Sequence, residues 1–242
     1  MEFNVLEQRG DSLAVLHIKG CNIGFANALR RTIISQLPSF AIEEVDFYEN
    51  NSALYNEMIA NRLGMLPLTF DPKAAPDTKI SLTLNAQGPA TVYSKDLVSG
   101  DEKVSPVNGD FPIAELAEKQ NLRLEAWAVL GTSRKHAKFQ CAHASYSHYA
   151  TFVVKKNTQK LQEFVKALPA SCLDAKGNVV AWKCDAAVDF AQNNPDSAEY
   201  REKEDEFVFI IESYNNVPAL GQLKAALELM GETAKELKKL LK

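Results

Sequence analysis

Along most of this 242-residue chain, apolar positions either alternate with polar ones or recur every three to four residues. Alternation marks a strand with one buried face, and the longer period marks a helix with an apolar stripe. Residues 3–6 and 12–18 (SLAVLHI) predict two short strands joined by the polar turn Gln8-Arg9-Gly10-Asp11. A helix is expected over residues 24–37, with Asn22 before it and Pro38 stopping it. On a 3.6-residue period Phe25, Ala28, Leu29, Thr32, Ile33 and Leu37 share one broad arc. Asn27, Arg30 and Arg31 lie towards the other side, with Ile34 among them. An arc this wide has two neighbours to satisfy, and periodicity leaves open whether both belong to the same chain.

A strand is expected at residues 40–48, then a helix at 52–63 with Ser52 as N-cap and Gly64 as its stop. Leu66-Pro67-Leu68 leads into a proline-bearing loop through Asp71-Pro72 and Pro76. Ile80, Leu82 and Leu84 alternate with polar residues, as do Leu122, Leu124, Ala126 and Ala128, so both stretches read as strands. The segments between them, around 94–97, 106–108 and 111–116, read mostly as loop. Residues 149–156 predict a strand and 158–168 a helix capped by Thr158. A turn at Pro169, a strand near Val179–Trp182 and a short helix from Asp185 follow, and the charge run 199–206 closes that unit.

Residues 206–213 form a further strand, and Val217-Pro218 opens the last helix. Leu220, Leu223, Leu227, Met230, Ala234, Leu237 and Leu241 are alternately three and four residues apart, an a/d seam that holds one stripe against another helix. Gly231 weakens that helix locally by about 1 kcal/mol relative to alanine. The seam alone fits its own domain and a partner equally.

Composition narrows the classes. Hydrophobic content of 46% and charged content of 24% are ordinary for a globular protein. No apolar run reaches bilayer length and MEFNVLEQRG lacks a signal pattern, so a cytoplasmic protein is expected. A net charge of -4 argues against a dedicated nucleic-acid binder, so no direct DNA contact is expected.

Candidate chemistry is sparse. Neither a G-x-G-x-x-G nor a Walker loop occurs, and Gly20-Cys21-Asn22-Ile23-Gly24 is more simply a strand-to-helix turn. Glu43 and Glu44 are neighbours in a predicted strand and should point to opposite faces, which is wrong for acid/base work on one substrate. Glu57, Asp71 and Asp77 stand singly. His136, Cys141, His143 and His148 include one cysteine and no paired ligands at zinc spacing. Cys172 and Cys184 could pair across the Lys176-Gly177-Asn178 turn, but spacing cannot fix that geometry and free thiols are the expectation.

The run FANALRRTIISQLPSFAI at 25–42, followed by NRLGMLPL at 61–68, resembles the alpha-like assembly-subunit family of RNA polymerases. In particular it is similar to the archaeal D-type members, counterparts of the bacterial alpha subunit and the eukaryotic third-largest subunit. TVYSKDLVSGD, PVNGDFPIAELAEKQNLRLEAWAVLG and HAKFQ carry the likeness through the middle of the chain. The resemblance implies an α+β fold with a split dimerisation domain, residues 1–48 with 206–242. It implies a β-rich insert domain at 49–157 and a small degenerate ferredoxin-like module at 158–205.

Some archaeal members hold an iron–sulfur cluster in that module. Here Cys184 stands where the ligand run begins, while Ala187 and Phe190 occupy later ligand positions and Leu168-Pro169 replaces a Cys-Pro. The cluster is therefore expected to be lost, with no metal or cofactor in this chain. The zinc-loop cysteine pairs of the eukaryotic relatives likewise have no match.

The resemblance further implies a subunit of a nucleotidyl-transferring complex that contributes no catalytic residue of its own. It would pair with the smaller alpha-like subunit L and bind the small subunits N and P. That platform would then receive the large catalytic subunits. The pairing residues expected are Phe25, Leu29, Ile33 and Leu37 with the C-terminal seam, Leu220 through Leu241. Arg30 and Arg31 match the family's paired arginines and are expected to reach a large subunit or anchor a neighbouring loop. The alternative is an iron–sulfur or thiol redox protein that uses the module, and a self-pairing scaffold is a third possibility.

Overall fold

The computed structural model describes residues 1–70, 74–214 and 216–241. Strands β1 (Glu2–Arg9), β2 (Leu13–Lys19), β9 (Ala142–Val154) and β10 (Ala198–Ser213) form a sheet in the order β1-β2-β10-β9. Strands β3 (Pro38–Asn50), β4 (Lys79–Gln87), β6 (Val98–Ser99) and β8 (Asn121–Thr132) form a second, in the order β3-β8-β4-β6. Strands β5 (Ala90–Tyr93) and β7 (Pro112–Leu116) make a separate pair. The helices are α1 (Ile23–Ser35), α2 (Asn56–Gly64), α3 (Gln159–Ala167), α4 (Ala186–Asn193) and α5 (Ala219–Leu240). The result is the expected α+β fold. The chain divides into two compact units, residues 1–7, 15–27 and 145–210 in one, and 8–14, 28–144 and 211–242 in the other.

The second unit is built on β8, which pairs antiparallel with β3 on one side and β4 on the other. Period-two alternation puts Leu122, Leu124, Ala126 and Ala128 of β8 into a core with Ile80, Leu82 and Leu84 of β4. Helix α2 adds Ile59 and Leu63, both fully buried. Each such side chain contributes roughly 1.5–3 kcal/mol on leaving water, so this layer dominates the unit's stability. On the other face Lys79 lies 5.0 Å from the Trp127 ring and Arg123 lies 5.3 Å from Tyr48. Gly131 is required where it stands, because a Cβ there would come within 2.7 Å of the Phe139 ring.

In the first unit, Gly20 takes φ +67 in the turn after β2, a conformation that glycine adopts freely. Its N–H and that of Cys21 both donate to the Asp205 carbonyl, at 2.9 and 3.3 Å. Buried His17 stacks on Tyr149 at 3.8 Å, and its Nε2 lies 2.5 Å from the Glu206 carboxylate, which also binds Lys203 at 2.7 Å. Between β9 and β10, Thr158 caps α3 by accepting from the Leu161 N–H at 3.3 Å. A small core there gathers Cys172, Cys184 and Ala187 under Phe152, Phe164, Leu168, Val179 and Tyr200.

Several expectations change. The charge run 199–206 does not close a unit: it lies inside β10, where Arg201 pairs with Glu199 at 2.6 Å and Lys203 with Glu206. Charges that neutralise one another along a strand do not end it. The strand expected at Val179–Trp182 is a single bridge, Leu173↔Val179, followed by a 3-10 turn at Ala181–Lys183. Helix α2 starts four residues later than expected, because the Ser52 hydroxyl donates to Asn50 Oδ1 at 2.7 Å in a turn and caps nothing. The stretch between the two alternating strands holds β5, β6 and β7. A register shift at Glu43 interrupts the alternation expected of Glu43 and Glu44. Glu43 binds Lys135 and Lys138, whereas Glu44 binds Lys79. The expected loop residues Asp71 and Pro72 lie outside the described residues.

A candidate partner interface

Helix α1 begins where the Asn22 side-chain oxygen accepts from the Phe25 N–H at 2.8 Å, satisfying one of its free donors. The Gln36 N–H still bonds back to Thr32, and Pro38 then starts β3. Leu29 and Ile33 are 0% exposed and Leu37 is buried, so that side of the arc belongs to the chain's own core. Phe25 and Arg30 are half-buried, while Gly24, Ala28 and Arg31, four and then three residues apart, are exposed.

Helix α5 is anchored near its first turn. Its first N–H, that of Ala219, donates to the Asp11 carbonyl at 2.8 Å. Buried Gln222 sits with its Nε2 at 3.0 Å from both the Cys141 carbonyl and Ser213 Oγ. Ala219, Leu223 and Ala226 are buried, and Leu220, Leu227 and Met230 are half-buried. From Gly231 to Leu241 every residue is exposed, Leu237 to 57% and Leu241 to 78%. A helix of this length runs about 33 Å at 1.5 Å per residue, and nearly its last half carries exposed seam positions. Lys238 and Lys239 in the final turn complement the helix dipole.

The two helices meet along a shallow groove of about 390 Å³ lined by Ala28, Arg31, Thr32 and Gln36 of α1 and Met230, Thr233, Ala234 and Leu237 of α5. Of the residues expected to pair, Arg31, Met230, Ala234 and Leu237 come together there. Leu29, Ile33, Leu37 and Leu223 lie inside the chain, and Leu241 lies beyond the groove on the exposed end of α5. Gln36 and Thr233 carried no sequence signal as lining residues. Ala28 and Thr32 were visible only as the small members of the apolar arc.

The chemistry elsewhere is structural. Lys135 and Lys138 hydrogen-bond the Glu43 carboxyl and pull its pKa down to about 2. Burial pushes the Cys141 thiol up to about 11, which keeps it protonated. The histidines considered for zinc do other work: His136 Nδ1 accepts from the Lys138 N–H at 3.1 Å, and His148 lies 4.8 Å from Phe207. Among the described residues no three His, Cys, Asp or Glu side chains gather as a metal group, and no helix is long and apolar enough to cross a membrane. An iron–sulfur cluster does not fit the module's donor set. Only Cys172 and Cys184 supply sulfur to that core, Ala187 is packed within it, and Phe190 stacks on Phe164 at 4.3 Å.

Residues 43–148 match the family described as the RNA polymerase Rpb3/RpoA insert domain. The chain is 43% identical over 173 residues to DNA-directed RNA polymerase subunit Rpo3 of Pyrococcus furiosus, covering 69% of this chain and 66% of that protein. It is 34% identical to the Rpo3 subunit of Pyrococcus horikoshii, over 95% of this chain and 93% of the other. The Archaeoglobus fulgidus Rpo3 subunit is 31% identical over 99% of this chain and 97% of that protein. The matches to the Pyrococcus furiosus and Thermococcus kodakarensis subunits span just under two thirds of those proteins.

Proposed function

The chain belongs to the Rpo3 family of archaeal DNA-directed RNA polymerase subunits, and from that premise we propose that it is a non-catalytic assembly platform of the polymerase. It pairs through α1 and α5 with a smaller alpha-like subunit, L. The pair binds the small subunits N and P and then receives the large catalytic subunits. In this reading the dimerisation domain is residues 1–48 with 206–242, interrupted by an insert domain at 49–157 and a module at 158–205. The protein works in the cytoplasm and leaves DNA contact to other subunits.

The observation that carries this reading is the bare end of α5 beside the exposed stripe of α1. The seam residues Ala234, Leu237 and Leu241 repeat at helical spacing and are all exposed, and a second helix would bury them. Leu29, Ile33 and Leu37 are buried behind that surface. Arg31 is exposed at the rim of the groove, where its planar guanidinium can make paired hydrogen bonds to a carboxylate of a large subunit.

Co-expression of the full chain with the smaller alpha-like subunit of the same genome tests the proposal. A one-to-one heterodimer by native mass is expected. Replacing Arg30 and Arg31 with alanine should leave that heterodimer intact and weaken recruitment of the large subunits. A monomer indifferent to the partner would defeat the pairing role, and unchanged recruitment would defeat the arginine assignment.

A further inference from the structure

The module between β9 and β10 brings two thiols together that the assembly role does not use. Cys172 and Cys184 share one small core with Ala187. Backbone bonds hold the intervening loop as a pinched turn: Val180 N–H donates to the Cys172 carbonyl at 2.9 Å, and Leu173 bridges Val179. At its tip the Asp174 carboxylate accepts from the Lys176 and Asn178 N–H groups, both at 2.8 Å. The Cys172 thiol donates at 3.2 Å to the carbonyl of Lys183, the residue next to Cys184, and both cysteines pack in the same small core. The 11 residues between them are thus already folded back, and closing a bond there demands little further chain ordering.

We propose that Cys172 and Cys184 are a redox-modifiable pair that a low-molecular-weight disulfide closes to an intramolecular disulfide. This goes beyond the polymerase reading and does not depend on it. Cys172, the more accessible at 8% exposure against 2% for Cys184, is reached first. Its thiolate attacks one sulfur of the oxidant R–S–S–R, forming Cys172–S–S–R and releasing one R–SH after protonation. The Cys184 thiolate then attacks the Cys172 sulfur, forming the protein disulfide and releasing the second R–SH. Two S–H bonds and the oxidant's S–S bond are lost. One protein S–S bond and two R–S–H groups are formed, with two electrons passing to the oxidant.

Burial and the neighbouring Cys172 thiol raise the pKa of Cys184. Closure therefore runs faster as pH rises, since the attacking species is the thiolate. Cys21 and Cys141 are buried and belong to other parts of the fold, Cys141 with its sulfur on the Ile33 carbonyl at 3.9 Å.

The test uses the folded full chain with oxidised glutathione, followed by acid quench, alkylation and trypsin. Cleavage after Lys176 and Lys183 leaves the two cysteines on separate peptides, residues 167–176 and 184–201. The expected result is loss of two of the four thiols, an intact mass lower by two hydrogen atoms, and cross-linked 167–176 and 184–201 peptides. Closure should be faster at about pH 9 than at about pH 7. Cys184→Ser should stop at a single glutathione adduct on Cys172. Four surviving thiols after prolonged oxidation would overturn the proposal, as would a stable glutathione adduct on the unmodified pair or a cross-link to Cys21 or Cys141. The peptide readout on the unsubstituted chain decides this even if the serine variant fails to fold.

Discussion

Helices α1 and α5 carry equally regular apolar stripes, yet one is almost wholly consumed by its own chain and the other is half left over. Leu29 and Ile33 of α1 have no exposed surface, whereas Leu237 and Leu241 at the end of α5 are mostly exposed. A stripe states how much apolar surface needs covering and says nothing about whose surface covers it. The difference comes from anchoring. Helix α1 is followed closely by β3 and has its Ile34 carbonyl bound by Ser133 Oγ at 2.5 Å. Helix α5 is tied down around Ala219 and Gln222, and every residue from Gly231 onwards is exposed.

That contrast breaks most visibly in the core. Ile33→Ala should cost about 2–5 kcal/mol of stability, because a rigid, fully buried site cannot collapse around the cavity. Urea denaturation measures it, and a loss below about 1 kcal/mol would mean that α1 is less enclosed than its burial states. Leu237→Asp should do the opposite. Stability of the isolated chain should stay within about 0.5 kcal/mol, while affinity for the smaller alpha-like subunit falls at least about tenfold, as titration calorimetry would read.

Much of this was legible in the chain. Helix α5, the Thr158 cap of α3 and the alternation of β4 and β8 all appeared where period and cap chemistry put them. The misses share a cause, since each turned on a contact distant in sequence or on competition for a side chain. Nothing local shows that residues 199–206 lie in a strand, because that rests on pairing with β9 and on charges meeting along β10. Ser52 looks like a cap until Asn50 takes its hydroxyl. At the groove, periodicity found Met230, Ala234 and Leu237 directly. It could not tell which edge of the α1 arc faces outwards, so Ala28 and Gln36 emerged only from the packing.

Smaller effects sharpen the same contrast between tied and untied segments. Glu43 ties the start of the insert sheet to Lys135 and Lys138, and its pKa falls from 4.5 to about 2 on folding. A depressed carboxylate stabilises the fold above its unfolded pKa and loses that contribution as pH falls through the folded one. Glu43→Gln should therefore cost about 1 kcal/mol at neutral pH, discounted for its partial exposure. The difference from the unsubstituted chain should shrink as pH drops from 4.5 towards 2. A penalty constant across that window would remove the ion pair as its cause. Gly231→Ala, in the untied part of α5 where a Cβ meets nothing within 4 Å, should stabilise the helix by up to about 1 kcal/mol. Circular dichroism melting would register it, and a destabilisation would show that the glycine is needed for a close approach.

The most direct measurement is amide hydrogen exchange on the full chain, alone and with the smaller alpha-like subunit. Residues 230–241 should exchange rapidly in the isolated chain, since that part of α5 is exposed apart from a half-buried Met230. They should become strongly protected in the complex, while Ile59–Leu63 of α2 stays unchanged. Protection of 230–241 already present in the monomer, or no gain when the partner is added, would contradict the assignment of this helix end as the pairing surface.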